Sequence, residues 1–194
     1  ELVGKLINSL NITIDNAMAQ ALYTSILVDT SSFRYPSVTK NTHKFVSKLL
    51  EAGVVPSEAY KAIYGDKDLD YLRLLGTVLS MAQSTPNGEI AWITLKQNSL
   101  EKYRVKDEYT NSFINHLLIL DKIKVACSFR QTKDGKVKVS FRSNGSIDVS
   151  IIAEGIGGGG HNHSSAATVE GPLNTVIKNI VEKISKMLEL LKKS

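Results

Sequence analysis

The sequence predicts an α/β protein in which a helical first part, residues 1–83, precedes a mixed sheet of about four strands flanked by helices, residues 89–194. Two observations predict this division. Apolar residues recur at helical spacing as far as Leu79, whereas runs of alternating apolar and polar residues appear only after residue 88. Between the two parts, residues 84–88 (STPNG) are rich in turn-forming residues and are predicted to be a linker.

The first part consists of helical segments that begin at side chains able to cap a helix and end at helix-breaking residues. The pattern starts at Leu2 and resumes after a suitable N-cap at Asp15. A polar loop (VDTSSFRYPS) broken by Pro36 then interrupts it. The later segments run from Thr39 to Gly53, from a cap at Ser57 to Gly65, and from Leu69 to Leu79.

The second part alternates strand and helix patterns. EIAWITL, residues 89–95, predicts a strand, and FINHLLIL, residues 113–120, predicts a helix. IKVACSFRQ and KVKVSFRS are two strand patterns joined by residues 132–135 (TKDG), and Asp-Gly at that place predicts a β-hairpin. DVSIIAE suits a short helix, residues 166–169 suit a strand, and a final amphipathic helix runs to Leu191.

Composition excludes several classes of protein. The 194 residues are 42% hydrophobic and 22% charged, which is typical of a soluble globular protein. No apolar run approaches the roughly 18–20 residues of a membrane span, so a transmembrane anchor within the chain is not expected. The single cysteine, Cys127, excludes an internal disulfide framework, fits a reducing cytosol and is predicted to be buried. A net charge of +5 fits either a solvated surface or weak attraction to polyanions.

The segment IGGGGHNHSSAATVEG, residues 156–171, is the most specific candidate for a site. Its glycines, among them Gly158, Gly159 and Gly160, allow a ligand to approach the bare backbone, where successive N–H groups can bind an anion. His161 follows directly and is able to pair with a phosphate oxygen. His163 is instead interpreted first as an ordinary surface histidine.

Two further side chains suit phosphate or metal chemistry. Arg142 stands at the end of a predicted strand, where its guanidinium could bind a phosphate in a forked geometry or be an ordinary edge arginine. Asp29 lies between an apolar run and a polar loop. Its carboxylate suits Mn²⁺ or Mg²⁺, although a capping role is also open.

Together these segments resemble the DHH/DHHA1 family of phosphoesterases, which includes RecJ-like nucleases and oligoribonucleases. GGGGH followed by a strand of small residues is similar to the DHHA1 signature, and the preceding strand that ends in FRS is similar to its lead-in. DTSSF, residues 29–33, resembles the DTGxF motif that closes the DHH domain. Ser31 and Ala166 depart from the family pattern, since both stand where relatives have glycine.

The resemblance implies that residues 1–83 are the C-terminal part of a DHH domain and residues 89–194 a DHHA1 substrate-binding domain. It implies two metal ions, usually manganese, with Asp29 as a ligand. It places Arg142, Ser143, Gly158, Gly159, Gly160 and His161 in a clamp for the substrate phosphate. No Asp-His-His motif is present, so we expect the chain to be a fragment that is inactive alone.

The function that the resemblance implies is metal-dependent hydrolysis of short oligoribonucleotides or linear dinucleotides, and of adenosine 3′,5′-bisphosphate, in the cytoplasm. A homodimer is compatible with the family resemblance. A RecJ-type exonuclease for single-stranded DNA is the alternative within the family. A noncatalytic module that binds nucleotides or nucleic acid is the alternative from another class, and the sequence upstream of Glu1 would distinguish it.

Overall fold

The structure is a computed structural model that describes residues 2–65, 67–145 and 147–192. It contains two compact units, one ending at Lys67 and the other beginning at Asp68. The boundary between the units therefore lies earlier in the sequence than residues 84–88, the predicted linker. The predicted domain boundaries stay a prediction. Each unit is described below by itself.

The first unit is helical, as the apolar spacing predicts. Its helices are α1 (Leu2–Ser9), α2 (Asn16–Asp29), α3 (Lys40–Glu51) and α4 (Pro56–Tyr64). Its core is formed by small and large apolar side chains of α2, α3 and α4 and the adjoining loop: Ala19, Tyr23, Ile26, Leu27, Leu49, Val54 and Ala59.

The predicted caps of this unit have two outcomes. The Asp15 side chain accepts a hydrogen bond from the Met18 amide at 2.8 Å, so the cap of α2 is confirmed. The predicted cap of α4 at Ser57 is wrong, because Pro56 already occupies the first turn and no side chain caps that end. A proline is tolerated there because the first helical residue has no use for an N–H donor.

The second unit is a mixed sheet flanked by helices, which confirms the predicted fold class. Its strands are β1 (Gln83–Ser84), β2 (Ile90–Leu95), β3 (Val125–Gln131), β4 (Val137–Ser143), β5 (Gly159–His161) and β6 (Ser164–Val169), in the order β1-β2-β3-β4-β6-β5. The β2–β3 pair is parallel and the others are antiparallel.

The sheet has six strands within the described residues, whereas the sequence predicts about four. The additional strands are the two edge strands, β1 in the turn-rich joint and β5 in the glycine run. Neither has a strand pattern of its own, because glycine and short polar residues have low strand propensity. Pairing to an existing neighbour makes them extended.

Helices cover the two faces of the sheet differently. The helices of this unit are α5 (Leu69–Ser80), α6 (Gln97–Tyr103), α7 (Ser150–Glu154), α8 (Leu173–Leu191) and a 3₁₀ helix (Asp107–Ile119). Helices α7 and α8 pack against one face, in a core that includes Val125, Phe129, Val139 and Phe141. Helices α5 and α6 and the 3₁₀ helix pack against the other face, in a core that includes Ile93.

One predicted helix of this unit is of another type, and the predicted burial of its cysteine is confirmed. The predicted helix at residues 113–120 is instead part of the 3₁₀ helix, and α6 had no sequence signal. The predicted burial of Cys127 is confirmed, and burial raises the pKa of its thiol. Within the described residues, none of the helices combines the length and the hydropathy that a transmembrane segment requires.

Candidate functional site

The candidate site lies on the outer half of one sheet face. Residues paired across neighbouring strands point to the same face, so the register defines rows of side chains. One row runs from Ala126 through Arg142 and Ser164 to His161. At the Ala126 end the row is buried under the helices, whereas its Arg142, Ser164 and His161 end is partly or fully exposed.

Arg142 and His161 therefore lie on the same face, separated by Ser164 alone. This is the arrangement that a shared phosphate ligand requires, since side chains on opposite faces could not meet. The Arg142 Nη1 atom donates a hydrogen bond to the Phe141 carbonyl oxygen at 2.9 Å. Its guanidinium has further donors that can reach an anion above the face. The assignment of both residues to a phosphate clamp stays a prediction.

The glycines of the run next to this row differ in how much space each has for a side chain. A Cβ atom on Gly158 would lie 2.2 Å from the Ala166 carbonyl oxygen. Gly160 has a φ of +145°, and a Cβ there would lie 2.6 Å from the Ser164 carbonyl oxygen. A Cβ atom on Gly159 would have no heavy atom within 4 Å. Close packing of this segment against β6 thus requires glycine at positions 158 and 160 but does not explain Gly159.

We expect Gly158→Ala to destabilise the chain and Gly159→Ala to leave it intact. Overpacking against a backbone carbonyl should lower the free energy of unfolding by about 1–3 kcal/mol. At Gly159, where space is open, alanine should change nothing or raise the free energy by up to about 1 kcal/mol, because it restricts the unfolded chain. Urea denaturation followed by circular dichroism measures both, and equal effects would contradict the role assigned to Gly158.

The structure separates Ser143 from the other predicted clamp residues. Ser143 is fully buried, and its hydroxyl donates to the Ile147 carbonyl oxygen at 2.6 Å. It adjoins Arg142 in β4, so it points to the opposite face of the sheet. This geometry gives Ser143 no direct access to a ligand on the Arg142 face. The family resemblance groups the two residues because they are adjacent in the motif, whereas the alternation of the strand separates their side chains.

Ser143 instead belongs to a hydrogen-bonded connection that the sequence did not indicate. Its hydroxyl oxygen lies 3.2 Å from His163 Nδ1, and its amide donates to the His163 carbonyl oxygen at 3.3 Å. The Val149 amide donates to the Asn162 carbonyl oxygen at 2.8 Å. These contacts hold the turn between β5 and β6 against the end of β4. His163 is thus half-buried and bonded, where the sequence left it as a surface histidine.

The Asp148 carboxylate, in the same loop, is fixed by hydrogen bonds from Ser150. Its Oδ1 atom accepts hydrogen bonds from the Ser150 hydroxyl at 2.6 Å and the Ser150 amide at 2.9 Å. The Ser150 hydroxyl bond is the main reason why the pKa of the Asp148 carboxyl lies below its ordinary value. The carboxylate therefore remains charged at neutral pH and orders the start of α7.

Asp29, in the first unit, is the last residue of α2 and is exposed. Its carboxylate makes no hydrogen bond or ion pair with any residue in the described ranges, so it caps neither a helix nor a loop there. A negative charge at the C-terminal end of a helix is also unfavourable for the helix. Local stability thus does not account for an aspartate at this position.

The loop after Asp29 has an unusual backbone. Ser31, Ser32 and Phe33 have φ values of 49°, 60° and 63°, in the left-handed region that favours glycine. Ser31, which stands where the resembled motif has glycine, therefore adopts a glycine-like conformation. The Arg34 guanidinium supports it by donating to the Ser31 carbonyl oxygen and hydroxyl, each at 2.8 Å.

A site for two manganese ions needs several ligand side chains close together. Across the part of the chain that the structure describes, no group of three or more His, Cys, Asp or Glu side chains is placed to hold a metal ion. Asp29 alone does not fit such a site, since hard divalent cations take several oxygen ligands.

Comparison with known proteins gives one family match. The DHHA1 domain matches residues 87–193, which is more than half of the chain. The match includes β2 through β6 and all of α8.

Relatives and a solved structure match over a larger part of the chain. The bifunctional oligoribonuclease and PAP phosphatase NrnA of Thermus thermophilus is 28% identical over 189 residues, 97% of this chain and 56% of that protein. NrnA of Bacillus subtilis is 27% identical over 156 residues, 80% of this chain and 49% of that protein. An exopolyphosphatase-related protein from Bacteroides fragilis superposes with a TM-score of 0.84 at 26% identity, over 93% of this chain and 53% of that one. The chain thus spans about half the length of the curated relatives it matches.

Proposed function

The chain belongs to the DHHA1 domain family, and on this premise we propose that it binds the substrate of a phosphoesterase. The proposed substrates are short oligoribonucleotides and linear dinucleotides, with adenosine 3′,5′-bisphosphate as a further one. The observation that carries the proposal is the row on the outer sheet face, where Arg142 and His161 lie on the same face with Ser164 between them, beside the open Gly159. The activities for which the two NrnA proteins are named support the choice of substrates.

The proposed binding chemistry is electrostatic. A guanidinium presents donors in a planar fork that matches two oxygens of a phosphate, and such charge-assisted bonds are among the strongest in proteins. Arg142 supplies the fork, His161 supplies a ring nitrogen from the edge strand, and Gly159 leaves room for the ligand. Ser143 does not contact the ligand; its hydrogen bond with His163 fixes the turn that follows His161.

Hydrolysis itself is proposed to require two manganese ions, with Asp29 contributing one carboxylate and other residues the remaining ligands. The cytoplasm is the proposed location, and the single buried thiol of Cys127 is compatible with its reducing conditions. A homodimer stays a prediction, which light scattering on the purified chain can test.

We expect this 194-residue chain by itself to bind no pair of manganese ions tightly and to hydrolyse no oligoribonucleotide. The reason is the single candidate ligand, Asp29, among residues that form no three-donor cluster where the structure describes them. Isothermal titration calorimetry with Mn²⁺ and a hydrolysis assay with labelled triadenylate measure the two properties. Tight binding of two ions per chain would contradict the expectation.

Binding of the substrate tests the proposed function directly. We expect 5′-phosphorylated triadenylate, added to the chain, to shift the NMR signals of Arg142, Gly159 and His161 more than those of α8 on the other face. Preference for single-stranded DNA of equal length would favour the RecJ-type exonuclease. Binding without hydrolysis in a longer protein that contains a DHH domain would favour the noncatalytic module.

A further inference from the structure

A second row of side chains lies on the same sheet face as Arg142. In this row, Arg130 of β3 is paired with Lys138 of β4, which is paired with Thr168 of β6. Lys138 is four residues from Arg142 in β4, so both point to this face, about 13 Å apart at their backbones. The outer face therefore carries cations at two separate places along β4, one in each row.

Among these cations, Lys138 differs in having no partner in the part of the chain that the structure describes. Arg130 forms an ion pair with Asp107 at the start of the 3₁₀ helix. The Lys138 ammonium makes no ion pair or hydrogen bond with any residue of ranges 2–65, 67–145 and 147–192. Partial burial lowers the pKa of Lys138, nearby Arg130 and Arg142 lower it further, and Asp107 raises it. A half-buried cation among cations is unfavourable for folding, so an anionic ligand would relieve it.

A cavity opens directly beside Lys138. It has a volume of about 290 Å³ and is lined by Lys138, Gly157, Gly158, Ala166, Ala167 and Thr168. This size is close to the lower limit of small-molecule sites, which start at about 300 Å³. The lining joins the lysine to the glycine run, and its residue Ala166 lies two positions along β6 from Ser164 of the first row. Thr168 adds an exposed hydroxyl to the edge of the cavity.

We propose that Lys138 and Thr168 form a second phosphate subsite, which binds a phosphate neighbouring the one held by Arg142 and His161. The subsite makes the chain prefer ligands with two or more phosphates along a nucleotide chain over nucleoside monophosphates. This inference rests on the proposed function and adds to it a residue that determines specificity. Lys138 contacts the phosphate directly, whereas the charge of Arg130 in the same row is paired with Asp107.

The experiment compares two probes on the full 194-residue chain. NMR titration measures the dissociation constants of 5′-phosphorylated triadenylate and of adenosine monophosphate. Lys138→Met removes the charge and retains most of the aliphatic stem, so the strand should remain packed. Lys138→Arg restores the charge. Lys178→Met, on the exposed side of α8 at the other sheet face, is the matched control for net charge.

We expect Lys138→Met to weaken triadenylate binding roughly three- to tenfold, since a partly exposed contact is worth less than a buried charged bond. A plot of the logarithm of the triadenylate association constant against the logarithm of salt concentration has a negative slope. The size of that slope should fall by about 0.7, the value for one phosphate on a single strand. Binding of adenosine monophosphate should not change, and Lys138→Arg should restore triadenylate affinity.

Four results would overturn the proposal. Equal weakening by Lys138→Met and Lys178→Met would show a general charge effect and no subsite. Equal weakening for both probes would place Lys138 in the first subsite. Triadenylate binding that depends on Arg142 but not on Lys138 would reject the second subsite while leaving the proposed function in place. If the unaltered chain binds neither probe, the proposed function fails and the subsite fails with it.

Discussion

Asp29→Ala, placed in a protein that contains this chain together with the rest of a DHH domain, should reduce manganese-dependent hydrolysis about a hundredfold or more. The expectation follows from the proposal that the carboxylate ligates a metal ion. Even residues that only orient metal ligands lower affinity or activity by about 10–100-fold when they are replaced. Steady-state hydrolysis of triadenylate at saturating Mn²⁺, with the Mn²⁺ dependence measured alongside, gives the effect.

The loss should occur without unfolding, which separates a metal ligand from a structural residue. Asp29 is exposed at the C-terminal end of α2, so alanine should leave stability unchanged or raise it by about 0.3–1 kcal/mol. Asp15→Ala at the other end of α2 is the matched control. It removes the cap on the Met18 amide and should lower stability by about 0.5–2 kcal/mol while sparing the metal dependence. Full activity of the Asp29→Ala protein would reject the assignment.

Arg142→Ala should weaken substrate binding about tenfold to a hundredfold, because a hydrogen bond to a charged group contributes about 1.5–3 kcal/mol. His161→Ala should act in the same direction. In a protein that includes the DHH domain, each change should lower kcat/KM or raise KM while manganese affinity stays nearly constant. Nucleotide titrations and manganese calorimetry measure the two properties separately.

Arg73→Ala is the matched control for Arg142, since it removes an exposed guanidinium of α5 whose partner is Asp70. It should change neither binding nor hydrolysis. Arg142→Lys should recover only part of the affinity, because an ammonium lacks the planar fork. A protein with Arg142→Ala that binds triadenylate as tightly as the unaltered chain would remove this residue from the site.

Several parts of the fold could be predicted because their signals are local. The hairpin between β3 and β4 follows from two alternating runs around an Asp-Gly turn, and Gly135 there has a φ of +80°. The apolar face of α8 and the cap at Asp15 likewise depend on residues within a few positions of one another. The edge strands β1 and β5 could not be predicted in this way, since their extended form depends on pairing with a neighbouring strand.

The same contrast holds for the candidate site. The sequence by itself determined the fold class, the family motifs and the residue types suited to phosphate, because these depend on local pattern and side-chain chemistry. Only the tertiary structure decided which of those residues share a face. Strand alternation turned Ser143 inward, strand pairing aligned Arg142 with His161, and the same pairing placed Lys138 beside the cavity. Register between distant segments is set by the packing of the whole sheet, which no single segment encodes.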